Sequence, residues 1–114
     1  MQRYFSKIFK KGSNSNWGLL ILFCLSLQGC VSGPVPVEEY ALARAAIEAA
    51  RNVEASRYAP GYWSQADEAY RRAKILLSER ENEEARVEFL RARLAAERAE
   101  NSARYIRFKN GEVL

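Results

Sequence analysis

The stretch ENEEARVEFLRARLAAERAENSARYIRFKNG, residues 81–111, decides the fold class. In it Ala85, Phe89, Ala92, Ala96, Ala99, Ala103 and Ile106 recur at alternating four- and three-residue steps without a slip. An α-helix turns once every 3.6 residues, so this spacing lines one face with a seam of period 3.5. Asn82 is placed to cap that helix, and Glu83 and Glu84 fall in its first turn, where the positive end of the helix dipole favours carboxylates. Arg104, Arg107 and Lys109 suit the negative end, and Asn110-Gly111 supplies a stop. The helix is expected to end near Lys109.

Toward the N-terminus the same spacing returns. Tyr62, Ala66, Ala69, Ala73 and Leu76 mark a second helix ending near Arg80, with Asp67–Arg71 and Glu68–Arg72 as i,i+4 pairs on its far side. Its start is open to two readings: Pro60 at the first helical position, or a capping box of Ser64 and Asp67. Ala59-Pro60-Gly61 breaks the chain, because the residue before a proline avoids the helical region. Ahead of the break a first helix is expected from Val37 to Tyr58. Leu42, Ala46, Ala49 and Val53 form one row and Tyr40, Ala43, Ile47 and Ala50 the adjacent one, while Arg44, Glu48 and Arg51 face water. Small residues along the seams let helix axes approach closely. The expected fold is therefore all-α: an antiparallel hairpin of the second and third helices covered by the first, a three-helix bundle with alanine-rich seams. Alanine buries little area, so modest stability is expected.

Residues 1–16 carry Arg3, Lys7, Lys10 and Lys11 and no acidic residue, and Trp17 to Leu27 form an apolar run. A basic segment followed by so short an apolar core has the form of an export signal, since crossing a bilayer takes roughly twenty residues of helix. Leu27-Gln28-Gly29-Cys30 closes the run and resembles the lipobox of bacterial lipoproteins. An ordinary cleaved signal with a chance cysteine is the competing reading. The resemblance implies removal of residues 1–29, signal-peptidase recognition of Leu27, Gln28 and Gly29, and a covalent lipid (palmitate chemistry) on Cys30. Each acyl chain contributes on the order of 10 kcal/mol at about 0.8 kcal/mol per buried methylene, so the membrane anchor would be effectively permanent. Val31 in place of aspartate after the cysteine implies, by the same resemblance, the outer membrane. Residues 30–36, with Gly33, Pro34 and Pro36, are expected to form a short tether, residues 37–110 the helical domain and residues 111–114 a tail.

The division at Cys30 also decides the charge. The formal charge of +4 comes from eighteen basic and fourteen acidic residues, and the four basic residues before Cys30 account for all of it. A neutral mature chain removes the usual inference from a basic chain to nucleic acid. Cys24 lies inside the apolar run, so no cysteine pair survives maturation. There is no histidine, which takes away the commonest general base and metal ligand. No phosphate loop, nucleophile elbow or metal-spaced cysteine set occurs. No enzyme, no catalytic residue, no metal and no cofactor beyond the lipid on Cys30 are expected.

An alanine-rich helix, the Tyr58-Ala59-Pro60 turn and then Ala66, Ala69, Ala73 and onward to Ala103 resemble the bacterial lipoprotein family named domain of unknown function 4398. The likeness runs from about Tyr40 to Arg104. It implies a helical hairpin in the style of tetratricopeptide repeats and carries no activity or catalytic residues.

Tyr58, Tyr62, Trp63 and Tyr70 crowd the first turn; such rings close a corner between helices or contact a protein partner or peptidoglycan. Glu79, Glu81, Glu83 and Glu84 lack the spacing of a calcium loop. Tyr105, Ile106, Phe108, Val113 and Leu114 make an apolar end that serves either as an oligomer contact or as a lid over the first helix. Together these readings lead to the expectation of a lipid-anchored periplasmic scaffold that holds an envelope protein or self-associates. The alternative is a structural lipoprotein close to peptidoglycan.

Overall fold

The computed structural model describes residues 33–112. The expectations for residues 1–29, for Cys30 and for Val113 and Leu114 lie outside the described residues. Within them every regular element is helical: α1 (Val37–Asn52), α2 (Ala55–Tyr58), α3 (Pro60–Ser78) and α4 (Asn82–Lys109).

The expected first helix is in fact two. α1 stops at Asn52, Glu54 takes a left-handed conformation (φ 57°), and α2 restarts with Ala55. Burial explains the break. On an unbroken helix Val53 and Ala55 would point about 160° apart, yet both are buried, at 5% and 0% exposure. One left-handed residue reorients the chain so that both enter the core, at roughly 1–2 kcal/mol for a side chain other than glycine. The bundle therefore has four helical segments where three were expected.

α3 starts at Pro60, and Ser64 donates to the Gly61 carbonyl at 3.1 Å, within the helix and away from any cap position. At its C-terminus Arg80 N–H donates to Leu77 O at 3.2 Å and Glu81 N–H to Leu76 O at 2.9 Å. That is a Schellman closure, with Arg80 (φ 65°) where glycine is usual. α4 ends in the same closure, Gly111 to Phe108 and Glu112 to Arg107, this time with a glycine at φ 76°. The Asn110-Gly111 stop is thus as expected. Asn82 is not a cap: Glu81 occupies that position, and the Asn82 side chain is buried and donates to the Gly33 carbonyl at 2.5 Å. The last residues of the segment expected to form a short tether pack against the domain. Pro36 is fully buried, and a Cβ on Gly33 would come within 2.3 Å of Glu83 Oε1.

The three-residue turn after Ser78 makes α3 and α4 an antiparallel hairpin, and α1 lies chiefly against α4. Glu39 pairs with Arg86 at 3.4 Å near one end, and the Arg107 guanidinium lies 5.7 Å from the Tyr58 ring at the other, so α1 and α4 run parallel. Ala85, Phe89, Ala92, Ala96, Ala99 and Ala103 are each fully buried, as the seam requires, and Ile106 is half-buried. In α1 the row of Ala43, Ile47 and Ala50 takes the core, while Leu42 of the neighbouring row stays 40% exposed. Among the described residues, thirteen of the sixteen buried hydrophobic core residues are alanine, so close approach of the axes, not bulk, fills this core. Phe89 is the exception, the largest fully buried side chain described.

Candidate functional site

The four aromatics expected at the first turn do not form one platform. Tyr58, at the end of α2, donates its hydroxyl to the Glu112 carboxylate and lies under Arg57 and Arg107, whose guanidinium carbons are 5.1 and 5.7 Å from the ring. The bond to Glu112 raises the Tyr58 pKa above the ordinary tyrosine value. Trp63 packs against the cluster of Ile47, Val53, Ala96 and Ala99, with Arg51 6.0 Å from its ring. Tyr70 bridges this cluster and the next: it joins Tyr40 at 6.3 Å and Phe89 at 5.9 Å, while Tyr40 meets Phe89 edge-on at 5.4 Å. Desolvation, then a hydrogen bond with Tyr40, raises its pKa. Tyr62, which headed the expected seam of α3, is 42% exposed, and Trp63 turns inward in its place. Tyr58 and Trp63 thus tie the α2–α3 corner to the bundle, Tyr70 ties its middle, and Tyr62 is open to solvent.

The acidic residues of the second turn do not converge. Glu83 pairs with Arg86 at 3.8 Å, and among the described residues no group of three acidic, cysteine or histidine side chains is gathered for an ion. Charge elsewhere is arranged as local pairs along single helices, such as Arg93–Glu97 and Arg104–Glu100, both at 2.8 Å. Exposed pairs of this kind are worth a few tenths of a kcal/mol and keep a helix surface soluble.

What the sequence reading passed over is a second apolar row on α4. Val87, Leu90 and Leu94 are 56%, 48% and 45% exposed, and Tyr105 and Phe108 continue the same side of the helix at 66% and 79%. Val87, Leu90 and Leu94 follow at three- and four-residue steps, offset by two residues from Ala85, Ala92 and Ala96, hence about 160° around the helix. The signal was in the sequence, hidden beneath the stronger alanine seam of the same segment. Between Leu90, Leu94 and Gln65 of α3 lies a shallow depression of about 290 Å³, bordered by Arg91 and Arg98. A second, more polar one of about 190 Å³ lies alongside, between Glu68 and Arg72 of α3 and Glu88 and Arg91 of α4. These side chains form an exposed apolar strip on the outer side of α4, beside a core that is already closed. No helix among the described residues is long and apolar enough to cross a membrane.

The model of the family described as Domain of unknown function (DUF4398) matches residues 38–108, which take in all four helices. No curated protein and no solved structure matches the chain.

Proposed function

The chain belongs to the DUF4398 family, and from that premise, which supplies a helical domain and no activity, we propose a lipid-anchored, non-enzymatic scaffold that holds another envelope protein at the membrane surface. The observation that carries this reading is the outward row of Val87, Leu90 and Leu94 on a bundle whose own core is complete without it. Leu27-Gln28-Gly29-Cys30 supports the anchor, and Val31 after the cysteine favours the outer membrane, with the domain on the periplasmic face.

The docked segment sharpens the geometry of such an anchor. Asn82 holds Gly33 by a 2.5 Å hydrogen bond, so only three residue steps separate Cys30 from the folded domain. Three extended steps span about 10 Å. A lipid on Cys30 would hold the α3–α4 turn close to the membrane, and the bundle would not swing on a long leash. Neutral formal charge after Cys30, together with the absence of histidine, fits a part that holds rather than transforms.

Crosslinking of the full chain in cells, followed by mass spectrometry, tests the scaffold. A defined protein partner supports it. Glycan fragments alone support the alternative, a structural lipoprotein close to peptidoglycan, and recovery of neither removes both readings.

A further inference from the structure

The short helix α2 is the least self-sufficient element of the bundle. It has four residues, and a single helical turn fixes more backbone freedom than its few hydrogen bonds offset. Left-handed Glu54 precedes it, and Ala59 (φ −140°, ψ 55°) and then Pro60 follow, so the backbone bends at both of its ends. Between those bends the N–H groups of Arg57 and Tyr58 both donate to the Glu54 carbonyl, at 2.9 and 3.2 Å, and that of Ala59 donates to the Ala55 carbonyl at 2.8 Å. The rest of its support is tertiary. α2 lies chiefly against α4, and Ala55 and Ala59 are buried in the cluster that also holds Ala96, Ala99 and Ala103.

The far end of the chain reaches back to fasten it. The Schellman closure of α4, with Gly111 at φ 76° and Glu112 N–H donating to Arg107 O at 2.9 Å, sets Glu112 beside α2. There its carboxylate accepts the Tyr58 hydroxyl, across 54 positions of sequence. Arg107 joins the same group, 3.6 Å from Glu112 and 5.7 Å from the Tyr58 ring. We propose that α2 is a lid on the cluster of Ala96, Ala99 and Ala103, hinged at Glu54 and Ala59 and latched by the bond from Tyr58 to Glu112. The lid opens while the α3–α4 hairpin stays folded, because none of these bonds belongs to the hairpin's own contact. Opening frees Glu54 from the left-handed region, and the methyl groups of Ala55 and Ala59 lose little apolar burial. The device belongs to the fold and does not depend on the anchor.

Residue-resolved amide hydrogen exchange on the full chain tests this. The amides of Arg57, Tyr58 and Ala59 are expected to exchange faster than those of Phe89, Ala92 and Ala96, through an opening that low denaturant barely changes, the mark of local unfolding. Glu112→Ala should speed those three amides about fivefold and leave the α4 amides as they were. Tyr58→Phe removes the same bond from the other side and should give the same change, with no further gain in the double variant. Arg104→Ala removes an exposed ion pair with Glu100 within α4 and is the control, expected to leave all of these amides unchanged. Exchange of the Arg57, Tyr58 and Ala59 amides only through global unfolding overturns the proposal. So does a Glu112→Ala variant with no effect, with an equal effect on the α4 amides, or with an effect that Arg104→Ala reproduces.

Discussion

Phe89→Ala is expected to be the most damaging single truncation in the bundle. Phe89 is fully buried and touches Tyr40 and Tyr70 edge-on at centroid distances of 5.4 and 5.9 Å. Its remaining buried neighbours are Ala43, Ala69, Ala73, Ala85 and Ala92, whose side chains have no rotamers with which to refill the space. The cost should therefore fall within the usual range for Phe→Ala, about 3–5 kcal/mol, and toward its upper part. The 80 described residues correspond to a total stability of about 4–12 kcal/mol at about 0.05–0.15 kcal/mol per residue. A third or more of that would go. At about 4–8 °C per kcal/mol, the Tm of the full chain by circular dichroism should drop about 15–30 °C. Phe108→Ala, at a site 79% exposed, is the control and should move Tm by no more than about 2 °C. If Phe89→Ala lowers Tm by less than about 5 °C, the view that one aromatic knits an otherwise alanine core is wrong.

Three further outcomes follow from the same packing. Ala96→Glu puts a carboxylate at a fully buried seam position and should abolish the cooperative melt, whereas Arg93→Glu removes only the exposed pair with Glu97 and should cost under about 1 kcal/mol. Arg80→Gly relieves a left-handed side chain in the Schellman closure of α3 and should raise stability by up to about 1 kcal/mol in urea titrations; a loss would mean that the arginine side chain matters more than its backbone. The pKa of Tyr70 is raised above 10.0 in the folded chain, so the folded state holds that proton more tightly than the unfolded one. Stability from this source is present below the unfolded pKa and is lost as pH rises through the folded value. Tyr70→Phe should therefore show a smaller fall in Tm between about pH 9 and about pH 11 than the unaltered chain, and an equal fall would remove Tyr70 as the cause.

The seam of α4 is legible because six alanine or phenylalanine positions keep one phase for five turns, and a helix, unlike a strand, puts that spacing on one face. Pro60 and Gly111 were legible as punctuation because each does something that few other residues do. The break at Glu54 was not: a glutamate in the left-handed region has no composition signal, and only the burial of Val53 and Ala55 in three dimensions accounts for it. Asparagine favours the cap position, but at Asn82 a contact to Gly33, 49 positions away, prevails over that local preference. Nearness in the chain groups Tyr70 with Tyr58, Tyr62 and Trp63, yet two turns of helix carry it to Tyr40 and Phe89. Val87, Leu90 and Leu94 were hidden for a related reason, since one helix carried two apolar rows and the longer one absorbed the pattern.

The scaffold reading stands or falls with its anchor, and cells fed an alkyne analogue of palmitate test that directly. The unaltered chain should take up the label, and Cys30→Ala should lose it and leave the membrane fraction. Label retained by Cys30→Ala, or no label on the unaltered chain, would contradict it.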